Sequence, residues 1–196
     1  MAIFLTSDHH FWHSNIIKFC KRPFETVEEM NEKLVIAWNS VVGPEDTVYY
    51  VGDFSMAARS VELYTKRLNG RKILVAGNHD FVHPAHRRSK TPENRAKWVQ
   101  MYIDNGWSEV HTQIELDIPG IGMVNICHLP YLEPNSNEDK RYTSHRPIDD
   151  GRWLLCGHVH DKWKVRNKMI NVGVDANNFL PVSLDEIKKI IEATNG

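Results

Sequence analysis

Asp8-x-His10, Gly52-Asp53, Gly77-Asn78-His79-Asp80, His128 and Gly157-His158-x-His160 place carboxylates, an amide and imidazoles at five separated points of a 196-residue chain. These oxygen and nitrogen donors suit a hard or borderline divalent ion. With no thiolate among them, they argue against Cu(I) or an iron–sulfur cluster. Each block alone is weak, since Gly-Asp after a strand is an ordinary turn and Asn78-His79-Asp80 fits a turn with positive φ at Asn. Together they carry more weight, because each follows a short apolar run. Softer candidates surround them. His9 and His13 flank the first pair, and Phe11 and Trp12 offer an aromatic wall or core packing. Arg22 beside Lys18 and Lys21, and Lys140, Arg141 and Arg146 further on, offer phosphate contacts or solvated surface charge.

The elements that must position these groups are readable. Ile3-Phe4-Leu5, Val48-Tyr49-Tyr50-Val51, Ile73-Leu74-Val75, Val124-Asn125-Ile126-Cys127 and Trp153-Leu154-Leu155-Cys156 read as buried strands. In layered α/β folds ligands bind past the carboxyl ends of strands, so the five blocks can converge in one crevice. The spacing of Asp8 and His10, and of His158 and His160, puts each pair on one side of an extended strand.

Thr26-Val27-Glu28-Glu29 is a capping box, and Val27, Met30, Leu34, Trp38 and Val41 follow at helical spacing until Gly43-Pro44. Val61, Tyr64 and Leu68 predict a second helix, with Asn69-Gly70 turning into a strand at 72–76. Thr91-Pro92-Glu93 predicts a third helix, closed by Asn105-Gly106. Segments 110–118 and 122–127, separated by Pro119-Gly120, read as a β-hairpin, and Ser183-Leu184-Asp185-Glu186 opens a C-terminal helix. Residues 131–152 lack any period and form a long loop between His128 and His158, the kind that is usually functional or disordered.

No linker or repeat divides residues 1–196, so a single domain is expected. The 24 basic and 25 acidic side chains give a net charge of −1, which excludes the electrostatic footprint of a binder of long nucleic acid or anionic membrane. Without a basic leader or a long apolar stretch, the expected location is the cytoplasm. Cys20, Cys127 and Cys156 have no zinc spacing, and Cys127 and Cys156 are expected as small buried hydrophobes.

The blocks at 8–10, 52–53, 77–80, 128 and 157–160 resemble, in order and identity, the signature of the calcineurin-like metallophosphoesterase superfamily. The segments Asn171-Val172-Gly173-Val174-Asp175 and Pro181-Val182-Ser183 resemble its small members. The resemblance implies an α/β fold, a two-sheet αββα sandwich. It implies two divalent ions, one on Asp8, His10, Asp53 and His160 and one on Asp53, Asn78, His128 and His158. Mn²⁺ is the first expectation, with Fe, Zn²⁺, Ni²⁺ and Mg²⁺ as alternatives. It also implies that His79 faces the substrate as acid or charge stabiliser, while Asp80 either orients His79 or packs structurally. Gly52-Asp53 runs into Phe54-Ser55-Met56 rather than Asp-Arg-Gly, which does not support the protein Ser/Thr phosphatase branch. The expected activity is a phosphodiesterase or phosphatase on a small, nucleotide-like phosphorylated substrate, with His9, His13, Arg22, Arg141 and Arg146 as substrate contacts. Pyrophosphate cleavage in a dinucleoside polyphosphate and a non-catalytic metal-binding scaffold are the alternatives, and the oligomeric state is left open.

Overall fold

The computed structural model describes residues 1–132 and 141–195. Lys140 and positions 133–140 of the long loop lie outside the described residues.

Among the described residues ten strands form two five-stranded sheets. In chain order the strands are β1 (Ile3–Thr6), β2 (Thr47–Tyr50), β3 (Arg71–Val75), β4 (Glu109–His111), β5 (Ile114–Ile118), β6 (Gly122–Ile126), β7 (Leu154–Cys156), β8 (Val165–Arg166), β9 (Met169–Asn171) and β10 (Val182–Ser183). The first sheet has the order β10-β1-β2-β3-β4 and the second β5-β6-β7-β9-β8. β1 through β4 run parallel in the first sheet, as do β6, β7 and β9 in the second.

Helices α1 (Ser14–Phe19), α2 (Val27–Val41), α3 (Ala58–Thr65) and α4 (Pro92–Asp104) connect the first four strands, and α5 (Leu184–Asn195) ends the described chain. Their starts follow from local chemistry. Thr26 accepts from the Glu29 amide at 3.1 Å, and Glu29 reaches back to the Glu25 amide at 2.9 Å, one residue earlier than a strict capping box. Thr91 accepts from the Asn94 amide at 3.2 Å ahead of Pro92, and Ser183 accepts from the Glu186 amide at 3.2 Å.

Strand alternation divides the core. Phe4, Val48, Tyr50 and Leu74 pack with Leu34 and Trp38 of α2, Val61 and Tyr64 of α3 and Tyr102 of α4. The neighbouring positions Leu5, Val51 and Val75 face the second sheet, meeting Val124, Ile126, Leu155 and Ile170, with Ile187 and Ile191 of α5 in the same cluster. A third cluster joins Leu154, Cys156 and Met169 to Cys127, Leu129 and Tyr131. Cys127 and Cys156 are thus buried apolar groups. This is a two-sheet α/β sandwich, the architecture that the resemblance implies.

One element departs from expectation. The segment 110–118 is two strands: β4 joins the first sheet through Leu74↔Val110, and only β5 pairs with β6, in register Leu116↔Val124. The chain therefore crosses between sheets at Thr112–Gln113, and the hairpin begins at Ile114. No helix among the described residues is long and apolar enough to cross a membrane.

Candidate metal centre

Because β1, β2 and β3 run parallel, as do β6, β7 and β9, six strand carboxyl ends open on one edge of the sandwich, and each leads into a block singled out above or into Asp175. The loops bond to one another: Asp8 N–H donates to Gly52 O at 3.0 Å, His10 N–H to Asp53 O at 3.1 Å, Gly157 N–H to His128 O at 3.1 Å and Val174 N–H to Ser7 O at 3.1 Å. The ligating atoms of Asp8, His10 and His160 lie within 4.8 Å of one another, as do those of Asp53, His128 and His158. Asp53 adjoins both groups, with Oδ2 3.6 Å from His10 Nε2 and 3.3 Å from His128 Nε2. Asn78 and half-buried His79 line the same cleft, and the His79 amide donates to Asp53 Oδ1 at 2.8 Å.

The pairs are not on extended strands. Asp8, His10, Asp53, His158 and His160 have φ of 61°, 51°, 58°, 71° and 52°, in the left-handed region. Each such residue costs on the order of 1–3 kcal/mol and persists only where its surroundings fix it. The interloop bonds supply that fixation. Glycine is required beside them. A Cβ on Gly52, itself at φ 84°, would stand 2.5 Å from Gly77 N and 2.7 Å from His128 Nδ1, and one on Gly77 would run into the Asp53 carboxylate.

These residues fit a divalent ion by their own unmet bonding. His10 Nε2, His128 Nε2 and Asn78 Oδ1 are buried without a hydrogen-bond partner, which is costly for polar atoms unless something coordinates them. The opposite ring nitrogens are engaged. His128 Nδ1 donates to Val51 O at 2.8 Å and His160 Nδ1 to Asp175 Oδ2 at 2.9 Å. A carbonyl or carboxylate oxygen only accepts, so both rings carry a proton on Nδ1 and turn Nε2 toward the carboxylates. Burial works against charge on both imidazoles, yet Asp53 raises His128 to about 9, and Asp8 with Asp175 raises His160 to about 11. His158 goes the other way, lowered to about 3 chiefly by burial. The pocket draws positive charge toward Asp8 and Asp53, whose carboxyls are both held below the usual range.

Several candidates have other tasks. His9 is fully buried; its Nδ1 meets the Tyr50 hydroxyl at 3.0 Å and its ring packs on Phe11 and Trp38, so it supports the core rather than a substrate. Arg22 is also no substrate contact. Its guanidinium is buried, donating to Asp175 at 2.7 and 2.8 Å, to Asp8 O at 2.7 Å and to His9 O at 2.9 Å. It fastens the Asp8–His10 turn to the residue that orients His160. His13 stands behind His10, with the two Nδ1 atoms 3.4 Å apart. Phe11 is core, stacked on Tyr64 at 4.3 Å, and Trp12 borders a separate surface hollow together with Ala57, Ser60 and Leu63, outside the cleft. Arg141 and Arg146 do line the cleft, and Arg146 Nη1 donates to Pro130 O at 2.9 Å.

Asp80 accepts from the amides of Asp53 and Gly77 at 2.8 Å, of Phe54 at 3.0 Å, and from the Tyr102 hydroxyl at 3.3 Å. These partners make it a tie between two ligand loops, and the alternative in which it orients the His79 ring gives way. Asp175 was not singled out as a site residue. The signal for it is a lone carboxylate in an apolar stretch just past β9, in a buried Val172-Gly173-Val174 setting.

A family model described as calcineurin-like phosphoesterase matches residues 1–168. The uncharacterized protein MJ1445 of Methanocaldococcus jannaschii is 34% identical, over 97% of this chain and 91% of its own length. The Gene 66 protein of Mycobacterium phage L5 is 32% identical, over 95% of this chain and 92% of its own length. Among solved structures, the protein of unknown function AQ665 from Aquifex aeolicus superposes with a TM-score of 0.67 at 25% identity, covering 96% of this chain and 98% of that one.

Proposed function

The chain belongs to the calcineurin-like phosphoesterase family, and from that premise we propose that it is a dinuclear metal-dependent hydrolase of phosphate esters, a phosphodiesterase or phosphatase for a small, nucleotide-like substrate. The observation that carries this reading is the pair of adjoining ligand groups, with Asp53 of one 3.6 Å from His10 of the other, each holding buried Nε2 or amide oxygen atoms that lack a partner. Asp8, His10, Asp53 and His160 would hold one ion, and Asp53, Asn78, His128 and His158 the other. Mn²⁺ is the first candidate because the family resemblance implies it, while the oxygen and imidazole donors suit Fe and Zn²⁺ equally. When bound, two such ions supply Lewis-acid polarisation of a phosphoryl group and a more acidic water.

The remaining work falls to the protein. Hydrolysis places a water oxygen on phosphorus and breaks the P–O bond to the leaving group; the water's proton goes to solvent, and the leaving oxygen gains one. His79 lines the cleft beside Asn78 with its backbone amide pinned to Asp53, which fixes its approach. It donates the proton that the leaving oxygen takes. Asp80 and the Arg22–Asp175 pair hold the ligand loops in their left-handed turns and touch no substrate.

Hydrolysis of bis-p-nitrophenyl phosphate beside the monoester, by chelator-stripped protein with and without Mn²⁺, tests the reading. Turnover restored by Mn²⁺ and absent in Asp53→Asn is expected. Metal-independent turnover, or an unimpaired Asp53→Asn variant, would overturn it.

A further inference from the structure

Past the ligand groups the cleft continues outward as a cavity of about 310 Å³, lined by charges of both signs, Arg141, Arg146 and Lys162 with Asp161. Among the described lining residues the one hydroxyl belongs to Tyr142, in the long loop between His128 and His158. Its backbone is strained. Tyr142 has φ 63° and ψ 19°, in the left-handed region, which a bulky side chain adopts at a cost of about 1–3 kcal/mol. Anchors on both sides hold it there. The His145 N–H donates to Tyr142 O at 2.8 Å, and Arg146 Nη1 donates at 2.9 Å to the carbonyl of Pro130, two residues past His128. The His145 ring meets that of buried His83 edge-on at 5.3 Å, which ties the turn to the loop that carries Asn78. The five candidate ligands Asp8, His10, Asp53, His158 and His160 share this left-handed conformation, and such strain clusters where a side chain has to be aimed.

The two ends of the Tyr142 side chain have different surroundings. Its half-buried ring packs against the cluster that holds Leu129 and Cys156, and stands edge-on to the His158 ring with centroids 6.3 Å apart. Its hydroxyl has no hydrogen-bond partner among the described residues. A phenol so placed satisfies its apolar body with protein and leaves its polar tip for water or a ligand.

We propose that Tyr142 is a further catalytic residue, donating its phenolic O–H in a hydrogen bond to a non-bridging oxygen of the phosphoryl group bound beside Asp53, His128 and His158. This rests on the metal-dependent reading above and adds a residue to it. No bond to the phenol forms or breaks, and the proton stays on its oxygen. The phosphoryl oxygen takes the place of a water on the hydroxyl, and the bond strengthens as negative charge builds on that oxygen during displacement.

Tyr142→Phe tests it, because the substitution keeps the ring and leaves Arg141, Arg146, Asp161 and Lys162 as they are. Calorimetric titration of the Mn²⁺-loaded full chain with inorganic phosphate should show binding about tenfold weaker than in the parent. On bis-p-nitrophenyl phosphate kcat should fall about 10–100-fold, more than KM rises. Metal content and denaturation midpoint should not change. Tyr142→Asn, in which asparagine accepts the left-handed backbone, should lose at least as much phosphate affinity. Parent-level phosphate affinity in Tyr142→Phe, with or without a loss in Tyr142→Asn, would overturn the assignment, since the hydroxyl would then have no part in binding. A fall in metal content or midpoint in Tyr142→Phe would overturn it in favour of a structural role. Phosphate affinity that depends on the hydroxyl, with no hydrolysis of either chromogenic ester by the parent, would sink the hydrolase reading alone; hydrolysis by the parent with undiminished phosphate affinity in Tyr142→Phe would sink this one alone.

Discussion

Replacing Asp175 by asparagine removes the negative half of an ion pair whose side chains are 0% and 2% exposed, and weakens the acceptor of the His160 Nδ1–H bond. Three bonds end on that carboxylate: two from Arg22 at 2.7 and 2.8 Å and one from His160 at 2.9 Å. Breaking one side of a buried pair costs about 3–5 kcal/mol, because the remaining charge has no counterion. Loss of the carboxylate behind a ligating imidazole costs about 10–100-fold in metal affinity.

The two effects separate in a second variant. Arg22→Met combined with Asp175→Asn removes the stranded cation, so stability should recover to within about 2 kcal/mol of the parent, the remainder being the Asp8 and His9 carbonyls that lose a donor. Metal affinity should stay low, since His160 still lacks its carboxylate. Denaturant unfolding of the metal-free proteins and calorimetric titration with Mn²⁺ read the two quantities. A single variant that loses less than about 1 kcal/mol and binds Mn²⁺ as the parent does would refute the reasoning.

Three further outcomes are expected. His79→Asn should keep both metals but lose about 10²–10⁴-fold in kcat on an ester with a poor leaving group, and much less on a p-nitrophenyl ester, which leaves without a proton; equal losses on both would remove the acid role. Gly77→Ala should abolish binding of at least one ion by displacing the Asp53 carboxylate, seen as reduced metal content by elemental analysis; full occupancy would mean the loop relaxes freely. Asp80→Asn should lower stability by about 2–4 kcal/mol, since its amide nitrogen would face backbone N–H groups that now donate to an oxygen; an unchanged denaturation midpoint would contradict the role of Asp80 as a tie.

The five strands that lead into the blocks, the caps of α2, α4 and α5, and the convergence of the five blocks were legible in the sequence because each depends on local pattern or spacing; the short β8, β9 and β10 were not. The crossing between β4 and β5 was not. Val110, Thr112, Ile114, Leu116 and Ile118 keep one unbroken alternation, and alternation fixes faces without naming the sheet a strand joins. The left-handed turns at Asp8 and His160 were hidden for a related reason: i, i+2 spacing fits a strand as well as a pair of turns. Arg22 read as surface charge beside Lys18 and Lys21 because its partner, Asp175, is 153 residues away. His9 read as polar because Tyr50, which meets its Nδ1, is 41 residues away. Long-range partners decide whether a polar residue is buried, and no local signal reports them.

Anomalous diffraction from crystals of the protein soaked in Mn²⁺ tests the dinuclear claim most directly. Two peaks about 3.5–4 Å apart on either side of the Asp53 carboxylate are predicted, one against Asp8, His10 and His160 and the other against Asn78, His128 and His158. A single peak, or a peak seated on Cys20 and Asp175 with neither group filled, would contradict it.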